Sequence, residues 1–140
     1  MVGSNILEHP SIGNWNVIAP SSNELDLRNA DHVYSYIKSH RPETIVHAAG
    51  LVGGIHANIK DPINFLDVNM IIGRNLISSA HSLSVPNLIN ISSTCMYPRA
   101  AKNPLQEDML LTGALEPTNE GYALAKLITT RLCQYIDKDY

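Results

Sequence analysis

The chain has 140 residues, 44% of them hydrophobic and 16% charged, which is the composition of one globular domain around one core. A net charge of -3, a pI near 6.0 and the lack of any basic block exclude a nucleic-acid or anionic-membrane surface. No apolar run nears the ~20 residues of a membrane span, the start "MVGSNILEHPSIGNW" has no signal-peptide layout, and two cysteines, Cys95 and Cys133, suit a reducing compartment, the cytoplasm.

In chain order, the first expected element is a buried strand over Trp15 to Ala19, "WNVIA", closed by "PSSN". A helix follows, capped by Asn29 or Asp31, with Val33, Tyr36 and Ile37 on one face. "ETIVHAAG", Glu43 to Gly50, predicts a second strand. The longest helical pattern begins at Asp61 and Pro62, a cap and a proline at the first helical position, and is broken by Pro86. "NLINISST", Asn87 to Thr94, predicts a third strand. A loop of about twenty-five residues comes next, far beyond the usual ~4–6, and a last helix runs from about Glu120 to Asp137. Alternating strands and helices with near-continuous apolar strands predict an α/β domain with a parallel sheet. Ligands of such sheets bind at the carboxyl ends of strands. Here those ends are "APSSN", "HAAGLVGG" and "ISSTC", all small and polar.

The chemistry-bearing residues sit at the same ends. Tyr122 and Lys126 stand four apart on one helix face. An ammonium beside a phenol favours the phenolate, so the pair suits proton transfer to or from a substrate oxygen. The ordinary alternative is a surface pair, since this spacing is common on amphipathic helices. Ser93, at the end of a buried strand, adds a hydroxyl able to bond the same oxygen. Its ordinary alternative is a turn hydroxyl bonded to its own backbone. His47, His56 and His81 have no metal-site spacing and read as structural or surface residues. Cys133 reads as a buried helix residue.

"MVGS", "AAGLVGGIHAN", "ISSTCMYP" and "LTGALEPTNEGYALAK" resemble the GDP-L-fucose synthase branch of the extended short-chain dehydrogenases/reductases. The likeness covers essentially the whole chain. It implies an NADP-dependent epimerase/reductase that converts GDP-4-keto-6-deoxy-mannose to GDP-L-fucose. By that resemblance Ser93, Tyr122 and Lys126 are the catalytic triad. Tyr122 would be the acid/base at the C4 oxygen, Ser93 would orient that oxygen, and Lys126 would hold the nicotinamide ribose and depress the tyrosine pKa. Cys95 would be the epimerisation acid/base, a thiol able to take a proton next to a carbonyl. The bland reading of Cys95 is a small buried residue. On the cofactor side Gly3 would be the last glycine of the phosphate loop. Asp26 would meet the adenine edge, and Ala48, Ala49 and Gly50 would pack along the cofactor. Ser21 and Ser22 stand where the ribose 2′ position is read. NADP-using members often place arginine there, so NAD is the alternative cofactor. Gly53, Gly54 and Asn119 would face the substrate.

The resemblance also implies what lies outside 1–140. The chain is expected to be a partial NAD(P)-binding Rossmann domain that lacks the first strand and two phosphate-loop glycines. The C-terminal substrate domain, with the family's epimerisation histidine, would be absent. Met1 is then expected to be an internal methionine of a longer protein. A homodimer through helices near 62–82 and 121–137 is implied as well. Two other readings remain open: a related nucleotide-sugar epimerase or dehydratase, and an inactive fragment serving as an interaction module.

Overall fold

A computed structural model describes residues 2–138, and the reading of Met1 as an internal methionine lies outside them. Seven elements are α1 (Val2–Leu7), α2 (Ala30–His40), β1 (Thr44–His47), α3 (Ile55–Lys60), α4 (Pro62–Ser82), β2 (Asn87–Asn90) and α5 (Glu120–Lys138). Short 3-10 turns at Pro10–Asn14, Thr94–Met96, Glu107–Met109 and Pro117–Asn119 punctuate the rest.

The local signals act as expected where helices begin. Asn29 Oδ1 accepts from His32 N at 3.0 Å and starts α2. Asp61 Oδ1 accepts from Asn64 N at 3.3 Å and starts α4, with Pro62 in the position that needs no donor. β1 and β2 pair in parallel, Thr44 opposite Asn87 through His47 opposite Asn90. The connection between them carries α3 and α4, as a parallel pair requires.

Two cores result. Leu25, Val33, Ile37 and Leu76 bring α2 onto α4. Met96, Leu110, Leu115, Ala123 and Leu127 pin the long loop before α5 onto α5 itself. That loop is therefore anchored at three points rather than free. α4 and α5 cross closely at Gly73, where a Cβ would overlap the Thr129 methyl.

The expected strand at Trp15 to Ala19 is not formed. The segment is extended, but among the described residues only β1 and β2 make a ladder. An isolated strand leaves its backbone groups to water. Its apolar side chains are accordingly open, with Trp15 69% exposed and Ile18 49% exposed. The other two strands are real but shorter than expected, because Ala48 to Gly50 and Ile91 to Thr94 lie beyond the ladder. The architecture is thus a parallel sheet flanked by helices, with two strands where three were expected.

Candidate active site

Past β2 the chain turns tightly. Ser93 caps the 3-10 turn Thr94–Met96, its Oγ accepting from Cys95 N at 3.3 Å. This aims the Cys95 thiol at the turn before α5, where Asn119 Nδ2 donates to Sγ at 3.1 Å. Two residues into α5, Tyr122 stands near enough to the Ser93 hydroxyl for that group to act on its pKa. One turn further, Lys126 is 7% exposed and its Nζ donates to Ile91 O at 3.2 Å. The helix spacing and the strand end bring Ser93, Cys95, Asn119, Tyr122 and Lys126 into one group.

The electrostatics differ from expectation at one point. Lys126 was expected to lower the tyrosine pKa. Burial instead pushes Tyr122 above its usual value, the Cys95 sulfur adds to the rise, and the Ser93 hydroxyl opposes it. The reason is placement: Nζ lies over the ring, 5.8 Å from its centroid, and turns one of its donors to the Ile91 carbonyl. Burial lowers the Lys126 pKa. Beside it, His47 is 3% exposed, and burial together with the Lys126 charge pulls its pKa to about 4. Its Nδ1 has no partner.

The nicotinamide side of a dinucleotide fits this geometry. A Cβ on Gly50 would stand 3.0 Å from Asn69 Oδ1 and 4.0 Å from Lys126 Nζ, so only glycine leaves the space above the ammonium open. Lys126 has three donors and, among the described residues, one carbonyl partner, which leaves donors able to meet ribose hydroxyls. Ala48 and Ala49 continue from β1 toward the same place. Gly54 is the N-cap of α3 and has open space around it, whereas a Cβ on Gly53 would come within 2.8 Å of the Phe65 ring. Gly53 is thus needed for packing, whatever it meets on the ligand side.

The adenine-side candidates stand apart. Gly3 is in the first turn of α1 with nothing within 4 Å of a built Cβ. Ser21 donates from N and Oγ to Glu24 Oε2 at 2.8 and 2.7 Å, and Ser22 is exposed in the same turn. Asp26 is gripped by Arg28, with Nε and Nη2 both at 2.9 Å, which holds its carboxyl down at about 2. These bonds are local, and none joins the turn to the Ser93–Lys126 group.

Three asparagines brace the segments around the candidate residues, and two of them, Asn69 and Asn75, were not singled out beforehand. Asn69 on α4 accepts from Leu51 N at 2.9 Å and donates to Leu51 O at 3.0 Å, fixing the loop after β1. Asn75, further along α4, donates to Leu27 O at 2.9 Å and Arg28 O at 3.1 Å. Asn58 of α3 donates to Gly53 O and Gly54 O at 3.0 and 3.1 Å. The signal for the first two was legible: polar residues interrupting the apolar face of "VNMIIGRNLI". Buried amides there must bond something.

A family model described as NAD dependent epimerase/dehydratase family matches residues 1–140. The chain belongs to that family. It is 51% identical over 139 residues to a GDP-L-colitose synthase of Yersinia pseudotuberculosis, covering 99% of this chain and 45% of that protein. It is 51% identical over 138 residues to a GDP-L-fucose synthase of Azorhizobium caulinodans, covering 99% and 44%. Among solved structures, it is similar to a GDP-D-glycero-L-gluco-heptose synthase from Campylobacter jejuni, determined in the presence of NADPH. That match has a TM-score of 0.88 and 30% identity, and covers 99% of this chain and 40% of that one. The chain therefore spans less than half the length of the relatives it matches.

Proposed function

We propose that these residues are the nicotinamide-facing part of an NADP(H)-dependent epimerase/reductase acting on a GDP-linked 4-keto-6-deoxy sugar, with GDP-4-keto-6-deoxy-mannose as its substrate. The observation that carries the reading is the convergence of Ser93, Cys95, Tyr122 and Lys126 beyond the ends of β1 and β2. The names of the similar GDP-sugar synthases and the NADPH of a solved relative support the substrate class and the cofactor. On this reading residues 1–140 form part of an NAD(P)-binding Rossmann domain.

NADPH supplies a hydride. Ser93 and Tyr122 bond the keto oxygen. A tyrosine whose pKa is raised keeps its proton at neutral pH, which makes Tyr122 the acid that protonates that oxygen as it becomes an alkoxide. Lys126 holds ribose hydroxyls with its unspent donors. Cys95 takes the proton from a carbon next to the keto group, and the centre is inverted when a second acid returns a proton to its opposite face.

The test is direct. The chain is incubated with NADPH and the keto sugar in deuterated water. Expected are NADPH oxidation and deuterium at a carbon flanking the keto group. Tyr122→Phe slows the oxidation by ~10²–10⁴-fold, and Cys95→Ser removes the deuterium while sparing nucleotide binding. A folded chain that binds no NADPH sinks the proposal.

That outcome would favour the second reading, a pairing module. Leu124, Ile128 and Tyr135 form an exposed stripe on α5, at 36%, 45% and 62% exposure, and Ile63 on α4 is 79% exposed. The same stripe is the face through which a homodimer would form on either reading. Among the described residues no helix is long and apolar enough to cross a membrane. The cytoplasm is the proposed setting, on the two free cysteines.

A further inference from the structure

The Cys95 sulfur has a neighbour built to hold it. Asn119 closes the turn Pro117–Asn119, and its Nδ2 reaches 3.1 Å across to Sγ. The turn is itself braced. Glu116 Oε1 accepts from Thr118 N at 3.3 Å and from Thr118 Oγ1 at 3.1 Å. Its other oxygen pairs with Arg99 at 3.3 Å, and Asn119 N donates to Glu116 O at 3.2 Å. The amide is thus held by its own backbone, not by the thiol it touches. Its Oδ1 is buried and has no partner.

We propose that Asn119 is a positioning residue for Cys95: its amide N–H fixes the sulfur and stabilises negative charge on it while a substrate proton is taken. The proposal rests on the function proposed above for its chemistry, but not for its geometry. A neutral thiol gains little from a donor aimed at sulfur, because sulfur is a weak acceptor. A thiolate gains more, since hydrogen bonds to charged groups are the stronger ones. The donor also selects one thiol orientation, toward the space that Tyr122 and Ser93 border.

The measurement is the rate of Cys95 alkylation by iodoacetamide at pH 7, read by peptide mass spectrometry. Cys133 in the same sample serves as the reference. The thiolate is the reacting form, so Asn119→Ala is expected to slow Cys95 about fivefold, the factor one hydrogen bond commonly supplies. Asn119→Asp keeps the shape, replaces the donor with a carboxylate and slows it further. A residue that merely packs the turn would give the opposite sign, because loosening the turn exposes the thiol and speeds alkylation. An unchanged or faster rate in Asn119→Asp, with its far-ultraviolet dichroism retained, overturns the proposal. If Asn119→Ala does not fold, the aspartate variant decides alone. Slowed alkylation in a chain that neither oxidises NADPH nor incorporates deuterium would keep the positioning role and remove the enzymatic reading.

Discussion

Residues 2–28 hold themselves by short-range bonds, whereas residues 44–130 are tied across long gaps. In the first region Ser21 meets Glu24 and Asp26 meets Arg28, contacts two or three residues apart. In the second, Lys126 reaches Ile91, Ser92 reaches Thr130 at 2.7 Å, and Asn69 reaches Leu51. A cavity of about 590 Å³ lies in the first region, between Ile6, Ile12 and Trp15, and none of the catalytic candidates lines it. Long-range ties make geometry; short-range ones only shape a turn. The group proposed for proton transfer is therefore tied across long gaps, while the segment proposed for the adenine side is joined to the rest through Asn75 and the Leu25 core.

The same substitution should expose the difference most sharply at two glycines. Gly73→Ala puts a methyl into Thr129 at the α4–α5 crossing, and neither helix can yield without moving Lys126. We expect a loss of about 3 kcal/mol or more in denaturant unfolding. Gly3→Ala adds a methyl to α1 where nothing lies within 4 Å. It should be neutral, or gain about 0.5–1 kcal/mol from helix propensity. Equal effects at both positions would break the comparison.

How much of this was legible depended on whether a residue's partner was local. Caps were: Asn29, Asp61 and Pro62 start their helices as read, since each acts within one turn. The Ser93, Tyr122 and Lys126 group was also legible, because strand-end and helix-start positions are fixed by those same elements. The strand at Trp15 to Ala19 was misread, because a strand exists only by its neighbour and no pattern within five residues reports one. The direction of the Tyr122 shift was misread for a related reason. The four-residue spacing puts Lys126 on the same face, but the Ile91 carbonyl decides where the ammonium goes. Asn69 and Asn75 showed as polar breaks in an apolar face, but their partners, 18 and 48 residues away, did not show.

The next effect in size concerns pH. His47 is neutral when buried, its pKa lowered from 6.5 to about 4 by burial and by Lys126. Between those values the unfolded chain binds a proton that the folded chain does not. Stability is therefore complete above pH 6.5 and is lost as pH falls toward 4, in total by roughly 3 kcal/mol. His47→Leu should flatten that slope, measured as the denaturant midpoint at pH 7 and pH 5. A slope that survives the substitution would assign the acid sensitivity elsewhere. No equivalent group stands in residues 2–28, so the long-tied region should be the one that acid loosens first.

The smallest effect is at Asp26, and its size is the point. Its carboxylate is partly exposed, and the Arg28 guanidinium holds the pKa at about 2, below 3.8. The stability it lends is present above pH 3.8 and is lost only as pH falls toward 2, so between pH 5 and 8 it is constant. Solvent screens it throughout. Asp26→Asn should leave the unfolding midpoint where it was. If the same variant weakens NADPH binding, then the turn's local bonds exist to present a carboxylate to a ligand, since nothing in the fold depends on them. If binding too is unchanged, Asp26 shapes only its own turn. The adenine side would then be sought at Asn75, whose amide is what holds that turn to the helix behind the site.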